Sequence, residues 1–399
     1  MSETLRIQPP GPPGKALLTL AVPDSKQLLS VQDPFITTLA GPGGSRVIIA
    51  SAMMYAVYDW AAINVDRSGG VSGGAPGAAL YANGTSGKEL VHLALDTNFG
   101  KKVKFDFSWS GLLAAIKQAF SKWRIKGLPE KALLCTSPLG HYVKEMTGGV
   151  WPAKFWTLAM THEARYVMTA KGVWRINWLG ESEKIADTPP PIETAIAATT
   201  AIPLIMHGVP CKIGDRDLVL FDGGIAHPMT TRLHADCPIE VAYGLYGKHR
   251  LFVFDVGPDM TWIGKRIADA RNSVVHTPPV PAAPDWAIED EFTGVINCPV
   301  PDLPTLNLAP SRDCKWTILM RGFHSTVEAL DQAGLLNPDK LAQAHEISAR
   351  YEEISAQVQV EQQQAALIRD ASKRKRRQAE LEGLLSTQLE ALMHAHGLY

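Results

Sequence analysis

The pentapeptide Gly70-Val71-Ser72-Gly73-Gly74 constrains the fold of this chain more than any other stretch of its sequence. It has the form G-x-S-x-G, which is typical of a sharp strand–turn–helix corner that exposes a serine hydroxyl. Glycine is needed beside such a corner, because a Cβ there would clash with neighbouring backbone or take an unfavourable φ. The pattern therefore predicts that Ser72 is an activated nucleophile and that the chain is an acyl hydrolase.

Composition indicates a globular protein and gives no sign of a nucleic-acid partner. The chain has 399 residues, enough for one large domain or two, with 46% hydrophobic and 20% charged residues and a net charge of −1.

Its five cysteines are odd in number and lack C-x-x-C spacing, which favours reduced thiols in a cytoplasm over disulfides or a zinc site. Four prolines between Pro9 and Pro13 exclude an apolar signal-peptide core there. The apolar run Val47–Ile63 contains Asp59 and is too short to span a membrane.

Short apolar runs alternate with helical patterns from Phe35 to about Gly257, after a Pro-rich extended segment over residues 1–30. The predicted strands are Phe35–Leu39, Ala62–Val65, Phe155–Met160, Leu218–Phe221 and Arg250–Val256, and the predicted helices include Arg46–Ala62 and Ala75–Tyr81. Such alternation predicts an α/β fold with a mainly parallel central sheet flanked by helices. In these folds ligands bind beyond the carboxyl ends of the strands.

The C-terminal part of the sequence has a different character. A Pro-rich stretch over 277–284 is typical of a linker, and Asn337-Pro338 predicts a helix start with proline in its first turn. Beyond it, apolar residues recur at helical spacing, which predicts one or two long amphipathic helices with coiled-coil character. We therefore divide the chain into residues 1–30, a domain over 31–275, a linker and packing segment over 276–335, and a helical tail over 336–399.

Two further glycine-containing motifs occur in the chain, one before the pentapeptide and one after it. Gly43-Gly44-Ser45-Arg46 follows a predicted strand and opens a helix, so its N–H groups could hold an oxyanion or, as an alternative, a phosphate. The phosphate alternative is weakened because neither G-x-G-x-x-G nor G-x-x-x-x-G-K-[ST] is present. Asp222-Gly223-Gly224 follows the apolar run Leu218–Phe221, and taken alone it also fits a simple turn.

Taken in chain order, the three motifs resemble the pattern of the patatin-like phospholipase family. That pattern is G-G-G-x-R-G, then G-x-S-x-G, then D-G-G/A. The segments Lys154–Arg175 and Ala195–Pro203 extend the resemblance to roughly Phe35–Gly257. Pro42 and Val47 depart from the pattern, where the family has its first and last glycines. The resemblance implies a three-layer α/β/α domain and a reaction that needs no cofactor.

The resemblance also implies roles for particular residues. Ser72 would be the nucleophile and Asp222 its general base, a dyad without histidine. The backbone N–H groups of Gly43 and Gly44 would form the oxyanion hole. The remaining motif residues would support the geometry of the site; these are Arg46, Gly70, Gly74, Gly223 and Gly224. Arg46 could anchor its loop or contact a lipid head group, and we favour anchoring.

The expected reaction is therefore hydrolysis of fatty-acyl esters of phospholipids or lysophospholipids through an acyl-serine, in a cytoplasmic protein that contacts membranes peripherally. A thioesterase or transacylase on the same site, or an inactive scaffold acting through its C-terminal coil, are the alternatives. A Ser-His-Asp triad through His227 is a further possibility, although a loop role fits it better.

No metal site is expected, because His141, His162 and His234 lack ligand spacing and no loop clusters carboxylates. Residues 336–399 could form a homo-oligomer. The basic run Lys373–Arg377 fits either a solvated helix face or a site for anionic lipid, nucleic acid or a targeting receptor, and it could mark a boundary between two helices.

Overall fold

The structure is a computed structural model of the chain. It describes residues 5–7, 18–20, 36–106, 130–161, 163–177, 182–203, 205–225, 236–247, 249–257, 259, 293–301, 303–381 and 383–399. The predicted linker over 277–284 and the residues His162, His227 and His234 lie outside the described residues.

Two compact units make up the chain. Unit 1 comprises residues 1–48, 64–85 and 98–308, and unit 2 comprises residues 49–63, 86–97 and 309–399. This division differs from the linear one that the sequence suggested. Residues 336–399 share a unit with 309–335 and with two segments from the N-terminal half of the chain.

A mixed sheet forms the centre of unit 1. Its strands are β3 (Ile36–Ala40), β4 (Arg67–Gly70), β7 (Phe155–Met160), β8 (Ala164–Thr169), β9 (Gly172–Asn177), β10 (Ser182–Ala186), β11 (Val209–Ile213), β12 (Arg216–Asp222), β13 (Arg250–Asp255) and β14 (Thr293–Asn297). Two small antiparallel pairs lie outside it, β1 (Leu5–Ile7) with β2 (Leu18–Leu20) and β5 (Lys104–Phe105) with β6 (Leu134–Cys135).

The centre of the sheet is parallel and one side of it is antiparallel. Strands β14, β13, β3, β4 and β7 are neighbours in that order and run parallel. Beyond β7 the sheet continues as the antiparallel meander β8, β9 and β10. Strand β12 pairs with β11 and also, through its last two residues, with β7.

Helices cover both faces of this sheet. The helices of unit 1 are α2 (Gly74–Ala82), α4 (Ser137–Thr147), α5 (Ile192–Thr199) and α6 (Asp236–Tyr246). Side chains alternate between the faces with the period of two expected of a strand. On β7, Trp156 and Leu158 pack with Ile239 of α6, whereas Ala159 packs with Ala195 of α5. The predicted α/β class, with a central sheet flanked by helices, is confirmed.

Unit 2 is helical. Its helices are α3 (Gly87–Asp96), α7 (Arg312–Gln332), α8 (Pro338–Ala366), α9 (Ala371–Leu381) and α10 (Leu384–Ala395), together with residues 49–60 of α1 (Ser45–Trp60), which begins in unit 1. Asn337 caps α8 with proline in the first turn, as the sequence predicts. None of the described helices has an apolar stretch of the length that a bilayer crossing requires.

Polar contacts at the start of α7 tie the helices of unit 2 together. Arg312 bonds to Asp96 of α3, to Glu390 of α10 and to the Tyr399 hydroxyl. The carboxylate of Asp313 accepts from the backbone of Gly383 and from both the backbone and the hydroxyl of Ser386. Two backbone amides at the start of α10 thereby gain an acceptor that the helix itself does not supply.

Two predictions need correction. The strand before the pentapeptide is Arg67–Gly70 and not Ala62–Val65, which continues from the end of α1 as turn and coil. The basic run Lys373–Arg377 does not separate two helices: it lies inside α9, and the break falls before it, at residues 367–370.

Candidate active site

The predicted corner is present, and its serine has a strained backbone. Strand β4 ends at Gly70, α2 begins at Gly74, and Ser72 between them has a φ of 54°. That left-handed conformation costs a non-glycine residue roughly 1–3 kcal/mol. A Cβ on Gly70 would overlap Ala75, and one on Gly74 would overlap the carbonyl of Ala40. Only glycine fits at these two positions, because backbone lies against them.

One edge of β7 brings the serine and the aspartate together. Gly70, at the end of β4, pairs with Thr157 of β7, and Asp222, at the end of β12, pairs with Ala159 two residues further along. Strand β4 runs parallel to β7 and β12 runs antiparallel to it, so their carboxyl ends approach each other head to head. The Ser72 turn and the Asp222 turn therefore meet beside β7.

The side chains of Ser72 and Asp222 are joined by a short hydrogen bond. The Ser72 hydroxyl donates to Oδ2 of Asp222 over 2.5 Å, while Oδ1 of Asp222 accepts from the Gly224 amide over 2.8 Å. Both residues are buried, with Asp222 only 2% exposed. Burial raises the pKa of Asp222 to about 7, against the opposing effect of these two hydrogen bonds. A carboxylate with that pKa is matched to accepting a proton near neutral pH.

The buried side chain of Thr199 forms hydrogen bonds that stabilise the backbone of the Ser72 turn. Oγ1 of Thr199 accepts from the Ser72 amide over 3.1 Å and donates to the carbonyl of Leu158 over 2.6 Å. The hydroxyl of Thr157 donates to the carbonyl of Gly70 over 2.7 Å. Side chains of α5 and β7 thus fix the backbone at the nucleophile and just before it.

The glycine turn Gly41–Gly44 lies against the corner. A Cβ on Gly73 would overlap the carbonyl of Gly44, so the two turns are in backbone contact. Gly44 has a φ of +60°, and a Cβ there would also overlap the carbonyl of Thr305. The amides of Gly43 and Gly44 donate to no acceptor in the described part of the chain.

Arg46 fastens the glycine turn to residues 300–305. Its guanidinium is buried and donates to the carbonyl of Val300 over 3.1 Å and to the hydroxyl of Thr305 over 3.3 Å. The Ser45 amide donates to the carbonyl of Thr305, whose own amide donates to Asp259. Burial lowers the pKa of Arg46, and nearby Asp259 and Asp255 oppose that change. These contacts favour the anchoring role for Arg46.

The structure thus brings the Ser72 corner, the Asp222 turn and the glycine turn of Gly43 and Gly44 into one place. Gly70, Gly74, Gly223 and Gly224 shape it, since a Cβ at each would overlap a neighbouring residue. In the residues that the structure describes, no group of three histidines, cysteines or carboxylates could hold a metal ion. Sequence reasoning missed Thr157, Thr199 and Thr305. Thr157 and Thr199 lie in two segments of the resemblance, Lys154–Arg175 and Ala195–Pro203, whereas Thr305 lies in neither.

Comparison with known proteins adds little to this geometry. No family model matches the sequence, and no curated protein does. Among solved structures, the type III effector protein ExoU matches with a TM-score of 0.35 and 11% identity, covering 92% of this chain and 73% of that one. VipD from Legionella pneumophila matches with a TM-score of 0.35 and 13% identity, covering 91% and 86%. Structural similarity this low does not indicate which reaction this chain catalyses or which substrate it binds.

Proposed function

We propose that this protein is a serine acyl hydrolase that cleaves fatty-acyl esters of phospholipids or lysophospholipids. The observation that carries the proposal is the hydrogen bond from the Ser72 hydroxyl to the buried carboxylate of Asp222, whose pKa is raised to about 7. A nucleophile within hydrogen-bond reach of a base with a matched pKa is what acyl transfer at neutral pH requires.

In the proposed reaction, Asp222 takes the proton of Ser72 as Oγ attacks the ester carbonyl. The amides of Gly43 and Gly44 stabilise the oxyanion, and each such donor is worth about 10²–10³ in rate. The leaving alcohol receives the proton from Asp222, and an acyl-serine remains. Asp222 then deprotonates a water that attacks the acyl-serine, which releases the fatty acid and restores the serine.

The lipid substrate is the part of the proposal that depends on the sequence motifs. The order of the glycine turn, G-x-S-x-G and Asp-Gly-Gly is the pattern of the patatin-like phospholipases, which act on such esters. The geometry of the dyad fits any acyl ester or thioester. We therefore propose the lipid ester as substrate on the resemblance, and the acyl-serine chemistry on the site.

A fluorophosphonate probe tests the chemistry separately from the substrate. We expect the full chain to be labelled, Ser72→Ala to be unlabelled, and Asp222→Asn to be labelled at least tenfold more slowly, because its side chain cannot take the proton. Ser348→Ala is the matched control, since its hydroxyl only bonds back to Ala344 within α8. Labelling that survives Ser72→Ala would overturn the nucleophile assignment, and a wild-type chain that takes no label would favour the inactive scaffold.

The substrate class is tested with a lipid panel. Wild-type protein should release fatty acid from phospholipid or lysophospholipid, measured by mass spectrometry against Ser72→Ala. Release from acyl thioesters alone, from a chain that does take the probe, would replace the lipid ester as substrate and leave the dyad intact.

A further inference from the structure

The corner between α8 and α9, residues 366–377, lies at the surface of unit 2, and its side chains have few partners. Every residue from 366 to 377 is exposed except the partly buried Ile368. The first two turns of α9, Ala371–Arg377, are thus exposed on every side. Helices in folded proteins usually bury one face, so a helix start with no buried side indicates a surface that is available to a partner.

This corner concentrates positive charge in a chain whose net charge is −1. Residues 369–381 contain six cations and two carboxylates. Arg376 and Arg377 are paired with Glu380, and Arg377 also with Glu361. The remaining four cations have no carboxylate partner in the described part of the chain, and all are exposed; they are Arg369, Lys373, Arg374 and Lys375.

The same corner contains a large exposed apolar side chain. Leu367 is 81% exposed, the most exposed large hydrophobic residue that the structure describes. It lies in the break between α8 and α9, directly before the cations. An apolar side chain beside a cluster of cations is the pattern of a segment that lies at a membrane interface, with the cations at the lipid head groups and the apolar group among the acyl chains.

We propose that this corner, residues 366–377, binds the surface of a membrane that contains anionic lipid. A nucleic acid would satisfy the four cations but would leave Leu367 in water, whereas an anionic bilayer accommodates both. The inference does not depend on the proposed reaction, because binding is measured in a chain that lacks the candidate nucleophile.

Vesicle co-sedimentation of full-length Ser72→Ala protein tests the proposal, since that background leaves the lipids intact. We expect binding to phosphatidylcholine vesicles that contain phosphatidylserine, little binding to pure phosphatidylcholine, and weaker binding as salt screens the charges. The triple variant K373Q/R374Q/K375Q should bind the anionic vesicles about 100-fold more weakly, at roughly fivefold per cation.

The matched control removes the same charge elsewhere. K131Q/K171Q/K212Q also loses three exposed positive charges, here three lysines scattered over unit 1, and should bind as the parent does. Leu367→Ser keeps every charge and should weaken binding several-fold without changing its dependence on anionic lipid.

Three results would overturn the proposal. One is undiminished binding by K373Q/R374Q/K375Q, and another is an equal loss in the control triple. The third is capture of duplex DNA by the parent protein at salt concentrations where anionic vesicles are not bound. Since fluorophosphonate labelling does not need a membrane, a failure here leaves the proposed reaction untouched.

Discussion

At the scale of single residues, the carboxyl group of Asp222 determines how the candidate site responds to pH. It must be ionised to accept the serine proton, and burial raises its pKa to about 7. We therefore expect kcat/KM on a soluble short-chain ester to rise with pH, by about tenfold per unit below a midpoint near pH 7, and then to level off. Rates are measured after subtraction of Ser72→Ala, which corrects for spontaneous hydrolysis. A flat profile from about pH 5 to pH 9 would contradict the assignment of the base.

The same carboxyl group links folding stability to pH. In the unfolded chain it loses its proton near pH 4, but in the folded chain it keeps the proton until about pH 7. The folded state thus binds more protons in that window, and its free energy of unfolding falls as pH rises through it, by up to roughly 4 kcal/mol. Asp222→Asn removes this contribution. Its stability relative to wild type, measured by urea unfolding, should therefore be greater at about pH 8 than at about pH 4. An unchanged difference would mean that the carboxyl group titrates normally.

A sequence reveals a site residue when the residues next to it in the chain already indicate its role. Ser72 was predicted from the glycines on either side of it, which close backbone approaches require, and Asp222 was predicted from its Asp-Gly-Gly motif through the family resemblance. Thr199 bonds to Ser72 across 127 positions and Thr305 bonds to Arg46 across 259. The residues around a threonine do not indicate such a distant bond, since threonine suits many buried positions equally well. The supporting hydroxyls therefore became visible only in the fold.

At the scale of elements, the end of α5 supports the nucleophile through Thr199. Thr199→Val keeps the shape but leaves the Ser72 amide and the Leu158 carbonyl without this partner, at a cost of about 1–3 kcal/mol. We expect kcat to fall about tenfold with KM and the pH midpoint nearly unchanged, because the nucleophile is less well held. Thr199→Ser retains the hydroxyl and should restore most of the rate. Equal rates in wild type and Thr199→Val would exclude this role, and an equal loss in Thr199→Ser would assign the effect to the methyl group.

Strand β4 shows where the sequence misleads at this scale. Arg67–Gly70 has no β-branched or aromatic residue, and the neighbouring apolar Ala62–Val65 resembles a strand more closely. The position of β4 is set instead by β3 and β7, which pair with it on both sides. By contrast, Phe155–Met160 was predicted with its observed bounds, because a strand buried on both faces is a nearly continuous apolar run.

At the scale of the whole molecule, unit 2 is built from distant parts of the chain. Residues 49–60 of α1 supply one of its helices, and residues 86–97 supply α3. Trp60 of α1 lies 6.3 Å from Phe323 of α7 between ring centroids, and Arg312 and Lys315 of α7 bond to α3 or to the residue that follows it. The apolar stripe that predicted a coiled coil is buried in this unit, with Ile347, Ile354 and Val358 under 10% exposed. Self-association through residues 336–399 stays a prediction.

This arrangement predicts that the C-terminal helices cannot be removed. A chain that ends at Leu308 would expose the α1 and α3 surfaces that α7 covers, so it should be recovered mainly as aggregates that bind a hydrophobic dye and should lose fluorophosphonate labelling. The control is a full-length chain with a protease site inserted after Leu308. Once cleaved it keeps every contact of unit 2, so the two fragments should elute together and melt cooperatively. A truncated chain that is monomeric and melts like the parent would show instead that the C-terminal helices are an independent appendage.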